Sequence, residues 1–165
     1  MAITRTNRLV RLFTALALCL WAGAARADFQ TVSIPSVGGA GDPPALTAYL
    51  MRPEGSGPFP AVVALHGCGG LFGNSGKMIA RHREWGETLA KAGYVVLFPD
   101  SFTPRSVHDI CQTKSRDIQP GRERARDAYA ALKWLRSQNF VKSEVVGLLG
   151  WSNGGSTVLG AIDTH

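Results

Sequence analysis

The chain has 165 residues, of which 45% are hydrophobic and 18% charged, and its formal net charge is +6 at pH 7. This composition is ordinary for a globular protein, and the length is sufficient for one domain with its own core. The charge gives no reason to expect a nucleic-acid partner. Residues 1–27 contain four arginines and no acid, which leaves the remainder at +2.

The first 27 residues are typical of a secretory signal peptide. Arginines precede an apolar stretch over 12–22, which is short for a membrane span, and the sequence Ala-Arg-Ala at 25–27 fits a cleavage site. We therefore expect a signal peptide over 1–27, a mature chain that starts at Asp28, and a periplasmic or secreted protein without a stable membrane span. The alternative is an uncleaved anchor helix.

Residues 28–165 show strand patterns that alternate with helix patterns, and we expect them to form one domain. Strands are expected at 31–34, 46–51, 61–65, 94–98 and 145–149. The later runs are apolar along their whole length, as is typical of strands buried on both faces of a parallel sheet. The alternation predicts an α/β fold in which a mostly parallel sheet is covered by helices.

Two segments have the spacing of apolar side chains that indicates a helix. The first lies over 78–89 and is followed by Gly93, which is a natural C-terminal cap. The second lies over 120–138, and its basic stretch 122–126 is predicted to be a solvated helix face. The long irregular stretch 102–119 between the two is of a length that is often functional.

A nucleophile motif follows the last expected strand. The sequence Gly-Trp-Ser-Asn-Gly over 150–154 has the pattern G-x-S-x-G, which in a strand–turn–helix context forms a nucleophile elbow. The tight turn needs glycine on both sides, and it lifts the hydroxyl of Ser152 to the N-terminus of a helix, where negative charge is stabilised. The motif predicts that Ser152 is a nucleophile; the alternative is an ordinary glycine-rich turn.

A second glycine-rich segment, 66–70, follows the strand expected at 61–65. Stabilising an oxyanion requires two backbone N–H groups that point at one place. One comes from the residue after the nucleophile, here Asn153, and the other from a loop of this kind, with Cys68 the best candidate and Gly67 the next. A dinucleotide-binding loop fits poorly, because Phe72 stands where its third glycine is needed.

Together these motifs resemble the dienelactone hydrolase family of the α/β-hydrolases, over about residues 30–165. The matching segments are 65–70, Trp85, 93–96, 100–105, 131–135 and 150–155. The resemblance implies a hydrolase of carboxylic esters or lactones that works by acyl transfer, with Ser152 as nucleophile and Cys68 and Asn153 as oxyanion donors. It implies a small-molecule substrate and no cofactor. Because founding members use cysteine as nucleophile, the serine here is closer to exported esterases.

The acid and histidine of the catalytic triad follow the nucleophile in this fold, yet only thirteen residues follow Ser152. We therefore expect the triad acid and histidine to be absent. The domain over 28–165 would be an N-terminal portion of the fold that lacks the C-terminal strands, with weak or no activity.

The polar residues already present offer no clear substitute for the triad partners. We expect His66 to hold the oxyanion loop and His82 to pack in the core, which leaves His108 and His165 as weaker candidates for a base. Asp100 and Arg105 are expected to brace loops, with the binding of an acidic substrate group as the alternative for Arg105.

A chain of this extent would leave the strand at 145–149 as an exposed apolar edge, which invites self-association. The alternative function is therefore a non-catalytic relic or a binding module.

The two cysteines of the expected mature chain, Cys68 and Cys111, follow strands at the same end of the sheet. Both a disulfide and two buried free thiols are compatible with the sequence. No metal site is predicted, because no C-x-x-C or H-x-x-x-H spacing occurs.

Overall fold

The computed structural model describes residues 28–39, 42–113 and 117–163. Its five-stranded sheet consists of β1 (Gln30–Pro35), β2 (Ala45–Met51), β3 (Phe59–Leu65), β4 (Val95–Pro99) and β5 (Val141–Gly150) in the order β1-β2-β4-β3-β5. The signal peptide predicted over 1–27, together with His165, lies outside the described residues.

The sheet is mixed, with one strand reversed. β3 pairs in parallel with β4 and β5, whereas β2 pairs antiparallel with both β1 and β4. Of the strands that the structure describes, β2 is therefore the one that runs against the others. The α/β class and the mostly parallel sheet are confirmed, and β5 begins four residues earlier than its apolar run indicates.

Helices cover both faces of the sheet. They are α1 (Ala80–Lys91), α2 (Ala125–Arg136) and α3 (Asn153–Ile162), and a π-helical turn (Pro120–Arg124) leads into α2. Side chains alternate along β4, because successive residues of a strand point to opposite faces. Leu97 joins the core under α2 and α3, while Val96 and Phe98 join a second core that includes Leu89 of α1. This two-sided burial explains why the central strands are apolar along their whole length.

The outer edge of β5 carries no strand within the described part of the chain. Beside it lies an apolar depression of about 440 Å³ between α2, β5 and α3. Its lining includes Tyr129, Leu132, Leu148, Val158 and Ile162. Tyr129 is half exposed, at 50%, and Ile162 is 62% exposed, because no other described residue covers them here.

The basic stretch 122–126 corrects the sequence prediction of a solvated helix face. Arg122 is exposed, but Arg124 is completely buried and Arg126 forms an ion pair with Asp42, 2.7 Å between Nε and Oδ2. The prediction was wrong because the charge of a segment does not reveal which distant oxygen atoms will accept its hydrogen bonds. Here the carboxyl edge of the sheet presents oxygens that Arg124 reaches.

None of the helices described, over 28–39, 42–113 or 117–163, combines the length and apolar character needed to cross a bilayer.

Candidate active site at the carboxyl edge of the sheet

Ser152 occupies a sharp turn between β5, which ends at Gly150, and α3, which begins at Asn153. Its φ is 53° and its ψ is −118°, a backbone conformation that is costly for a residue with a Cβ, on the order of 1–3 kcal/mol. Two hydrogen bonds hold the turn. The Trp151 N–H donates to Leu65 O at 3.2 Å, and the Gly154 N–H donates to Trp151 O at 2.8 Å. The side chain of Ser152 is left exposed.

The glycines on either side of the turn allow this close packing. A Cβ at Gly150 would lie 2.2 Å from Gly154 O, and a Cβ at Gly154 would lie 2.1 Å from Leu65 O. Both distances are far inside van der Waals contact, so the main chain of α3 rests directly on the end of β3. The G-x-S-x-G pattern therefore has a steric cause in this fold.

The loop 66–70 after β3 lies against this turn. A Cβ built on Gly67 would be 3.4 Å from Trp151 O and 3.8 Å from the Cβ of Ser152. Cys68, the next residue, is joined to Cys111 by a disulfide, which resolves the alternative that the sequence left open. Its carbonyl oxygen also accepts a hydrogen bond from the Ile110 N–H at 2.9 Å. The structure thus brings the segment of Cys68 next to Ser152 and fastens it to the long loop.

His66 braces this loop from below. It is fully buried, its Nδ1 donates to Gly67 O at 2.8 Å, and its Nε2 accepts the Ser101 N–H at 3.3 Å. Burial, with a contribution from the nearby Arg124 cation, lowers the pKa of His66 to about 3. Since both ring nitrogens are engaged, His66 is a neutral structural residue, as the sequence predicts.

Asn153 opens α3 with a buried side chain. Its backbone N–H belongs to the first turn of the helix, where N–H groups have no intrahelical acceptor. Its Oδ1 accepts a short hydrogen bond from Nη1 of Arg124, and Nη2 of the same guanidinium donates to His66 O at 2.7 Å. The sequence analysis did not identify Arg124 as a residue of the site. The feature that could have indicated it is a charged residue at a helix position that faces the sheet.

The other polar candidates have structural partners. Oδ1 of Asp100 accepts the N–H groups of Phe102 and Thr103, at 2.9 and 3.1 Å, so it caps the loop after β4. Arg105 forms a two-pronged ion pair with Asp127 and a third contact with Asp42. Both residues brace loops, as expected.

Neither His82 nor His108, the two remaining histidines of the described residues, completes a triad with Ser152. His82 is buried against Phe98 and Trp151, as predicted for a packing residue. His108 is exposed and lines a cleft of about 630 Å³ beside Gly69. Within the part of the chain that is described, no hydrogen bond joins Ser152 to a histidine or a carboxylate.

The two buried histidines predict a loss of stability in mild acid. Burial lowers the pKa of His66 to about 3 and that of His82 to about 4, from 6.5. As the pH falls, the unfolded chain therefore binds two protons that the folded chain does not bind. The contribution of the two neutral histidines to the free energy of unfolding is thus complete above about pH 6.5, and it is lost as the pH falls towards their pKa values in the folded chain. Between pH 6 and 5 the free energy of unfolding should fall by up to about 2.7 kcal/mol per pH unit.

Urea denaturation at pH 7, 6 and 5 measures this slope. A His82→Phe variant, which keeps the aromatic packing, should show about half of it. An unchanged slope in that variant would contradict the assignment of one of the two protons to His82.

Comparison with known proteins identifies the relatives of this arrangement. The model of the dienelactone hydrolase family matches residues 46–164. A probable 2-oxo-3-(5-oxofuran-2-ylidene)propanoate lactonase from a Bradyrhizobium species is 30% identical over 124 residues, which cover 71% of this chain and 46% of that protein.

Solved structures agree on the fold. A dienelactone hydrolase from Anabaena variabilis superposes with a TM-score of 0.61 at 23% identity, covering 82% of this chain and 57% of that one. A dienelactone hydrolase-like promiscuous phosphotriesterase from metagenomic libraries gives 0.60 at 24% identity, covering 81% and 54%. The chain thus spans about half the length of these relatives. Because the family match extends over well more than half of its own residues, the chain belongs to the dienelactone hydrolase family.

Proposed function

We propose that this chain carries the nucleophile and oxyanion half of a serine hydrolase that acts on carboxylic esters or lactones by acyl transfer. The observation that carries the proposal is the exposed Ser152 at positive φ, held between the end of β5 and the start of α3. A strained residue at the carboxyl edge of an α/β sheet is where nucleophiles of such hydrolases stand.

The chemistry follows from this position. Oγ of Ser152 attacks the carbonyl carbon, its proton passes to a base, and the tetrahedral oxyanion accepts hydrogen bonds from the N–H groups of Cys68 and Asn153. Collapse of this intermediate breaks the bond to the alkoxy oxygen, which takes the proton from the base and leaves as the alcohol, or in a lactone stays attached as a hydroxyl group. Water then gives a proton to the same base and attacks the acyl-enzyme, and the acid is released as Ser152 regains its proton. The proton acceptor is not supplied by the described residues, so we expect the chain on its own to be a weak catalyst.

The substrate class rests on the family and on the lactonase among the relatives. An internal ester and an open ester present the same carbonyl to Ser152, so both are candidate substrates. The proposed mechanism uses no cofactor.

Labelling with a fluorophosphonate tests the role of Ser152. This probe phosphonylates nucleophilic serines. Because the described residues supply no proton acceptor, we expect slow labelling of the folded chain at one site, which is lost in Ser152→Ala. Ser156→Ala is the matched control, because Ser156 is an exposed serine one helical turn later on α3. Labelling that persists in Ser152→Ala, or its absence from the folded parent chain, would contradict the proposal.

A second candidate function is that of a non-catalytic product that pairs its open edge with a second copy of the chain. The apolar depression beside β5 and the exposed Val145, at 51%, favour it. The same labelling experiment separates the two, since a folded chain that associates but never reacts at Ser152 would favour this alternative.

We also propose export to the periplasm or the medium. The leader-like sequence over 1–27 supports it, as does the Cys68–Cys111 disulfide, because such bonds persist in oxidising compartments.

A further inference from the structure

Arg124 is a completely buried cation that no step of the proposed chemistry uses. It sits at the end of the π-helical turn that leads into α2, and its guanidinium carbon lies 5.2 Å from the centre of the Phe102 ring. Burying a guanidinium costs free energy unless its N–H groups find hydrogen-bond acceptors. The acceptors of Arg124 therefore indicate its role in the structure.

Those contacts join the two halves of the site. Nη2 donates to His66 O, the carbonyl of the peptide bond that leads into Gly67 and Cys68, and Nη1 donates to Oδ1 of Asn153. The guanidinium is planar and rigid, so it fixes the distance between its two acceptors better than a flexible ammonium could. One side chain therefore sets the loop after β3 relative to the first turn of α3.

Its charge is not cancelled by a direct partner. Within the described residues Arg124 forms no ion pair, and its Nε has no hydrogen-bond acceptor. Asp127 and Asp100 act on it from a distance, and Arg105 opposes them. Burial lowers the pKa of Arg124 to about 10, so it remains a cation at neutral pH.

We propose that Arg124 is the positioning residue of the oxyanion site, which holds the N–H groups of Cys68 and Asn153 at a fixed separation by gripping His66 O and the Asn153 side chain. The proposal rests on the proposed function, because only an oxyanion site requires a fixed separation of the two N–H groups. The two hydrogen bonds of Arg124 can nevertheless be tested without any activity. Displacing an oxyanion donor lowers rates on the order of 100-fold.

Hydrogen–deuterium exchange on the full chain tests the grip. In Arg124→Met, peptides that cover 66–70 and 152–156 should exchange at least ten times faster than in the parent. Arg122→Met is the matched control, because Arg122 is exposed and lies two residues away. It should leave both peptides unchanged. Unchanged exchange in folded Arg124→Met would overturn the proposal.

Fluorophosphonate labelling tests the consequence for chemistry. The labelling rate at saturating probe should fall about 100-fold in Arg124→Met while the half-saturating probe concentration stays the same, because the binding surface is untouched. Arg124→Lys keeps the charge but not the planar fork, and about a tenfold loss is expected. Equal rates in the parent and the folded Met variant would overturn the proposal.

The outcomes distinguish the two proposals. A parent chain that is never labelled would contradict the proposed serine hydrolase function. The exchange experiment would then still test whether Arg124 holds the two segments together. If circular dichroism shows that Arg124→Met does not fold, Arg124→Lys decides, and parent-like exchange at both peptides in that variant would overturn the grip.

Discussion

Replacing Gly154 by alanine is expected to destabilise the fold by about 3 kcal/mol or more and to abolish labelling of Ser152. The added methyl group would lie 2.1 Å from Leu65 O and 2.7 Å from His66 O. Both atoms are backbone at the end of a central strand, so neither can move without pulling β3 away from its neighbours. Overpacking of even an adaptable core commonly costs 1–3 kcal/mol.

Gly155→Ala is the matched control for this change. It adds the same methyl group one residue later on α3, where the nearest atom, Gly150 O, is 3.5 Å away, an ordinary contact. Alanine also favours a helix over glycine by up to about 1 kcal/mol. We expect Gly155→Ala to be neutral or slightly stabilising in urea denaturation. Equal losses in the two variants would contradict the close approach of α3 to β3.

Removing the Cys68–Cys111 disulfide is expected to cost about 4 kcal/mol. The bond closes a loop with a sequence separation of 43, and constraining the unfolded chain over that length gives this value in the loop-entropy treatment. The double variant Cys68→Ala/Cys111→Ala avoids a free thiol at either position. Its melting temperature should fall on the order of 10 °C relative to the oxidised parent.

Reduction of the parent provides the control for the double variant. Dithiothreitol should lower the melting temperature of the parent towards that of the variant, and it should leave the variant unchanged. Because Cys68 lies in the loop next to Ser152, both treatments should also slow fluorophosphonate labelling. A parent that melts at the same temperature with and without reductant would contradict a stabilising role for the bond.

The sharp turn at Ser152 could be predicted from the sequence because its requirements are local. An apolar strand, two glycines and a serine are contiguous, and their spacing predicts the backbone of Ser152. The apolar runs of β3 and β4 were equally informative, since burial on two faces leaves no other pattern. These features need no knowledge of distant residues.

Features that depend on distant partners were not accessible in this way. The burial of Arg124 follows from oxygens on residues 58 and 29 positions away, which no local pattern reveals. The reversed direction of β2 has the same origin, because the apolar alternation of a strand does not state which neighbour it joins. The sequence therefore predicted the turn at Ser152, and the three-dimensional contacts show which distant residues support it.

The ion pairs of Asp42 have a consequence for how the molecule is made. This carboxylate, in the connection between β1 and β2, meets Arg105 and Arg126, which follow it by 63 and 84 positions. The β1–β2 hairpin is synthesised early, so Asp42 can pair with Arg105 and Arg126 only after most of the chain has left the ribosome. Because contacts between residues so distant in sequence slow folding, we expect these ion pairs to form late, after the β1–β2 hairpin itself.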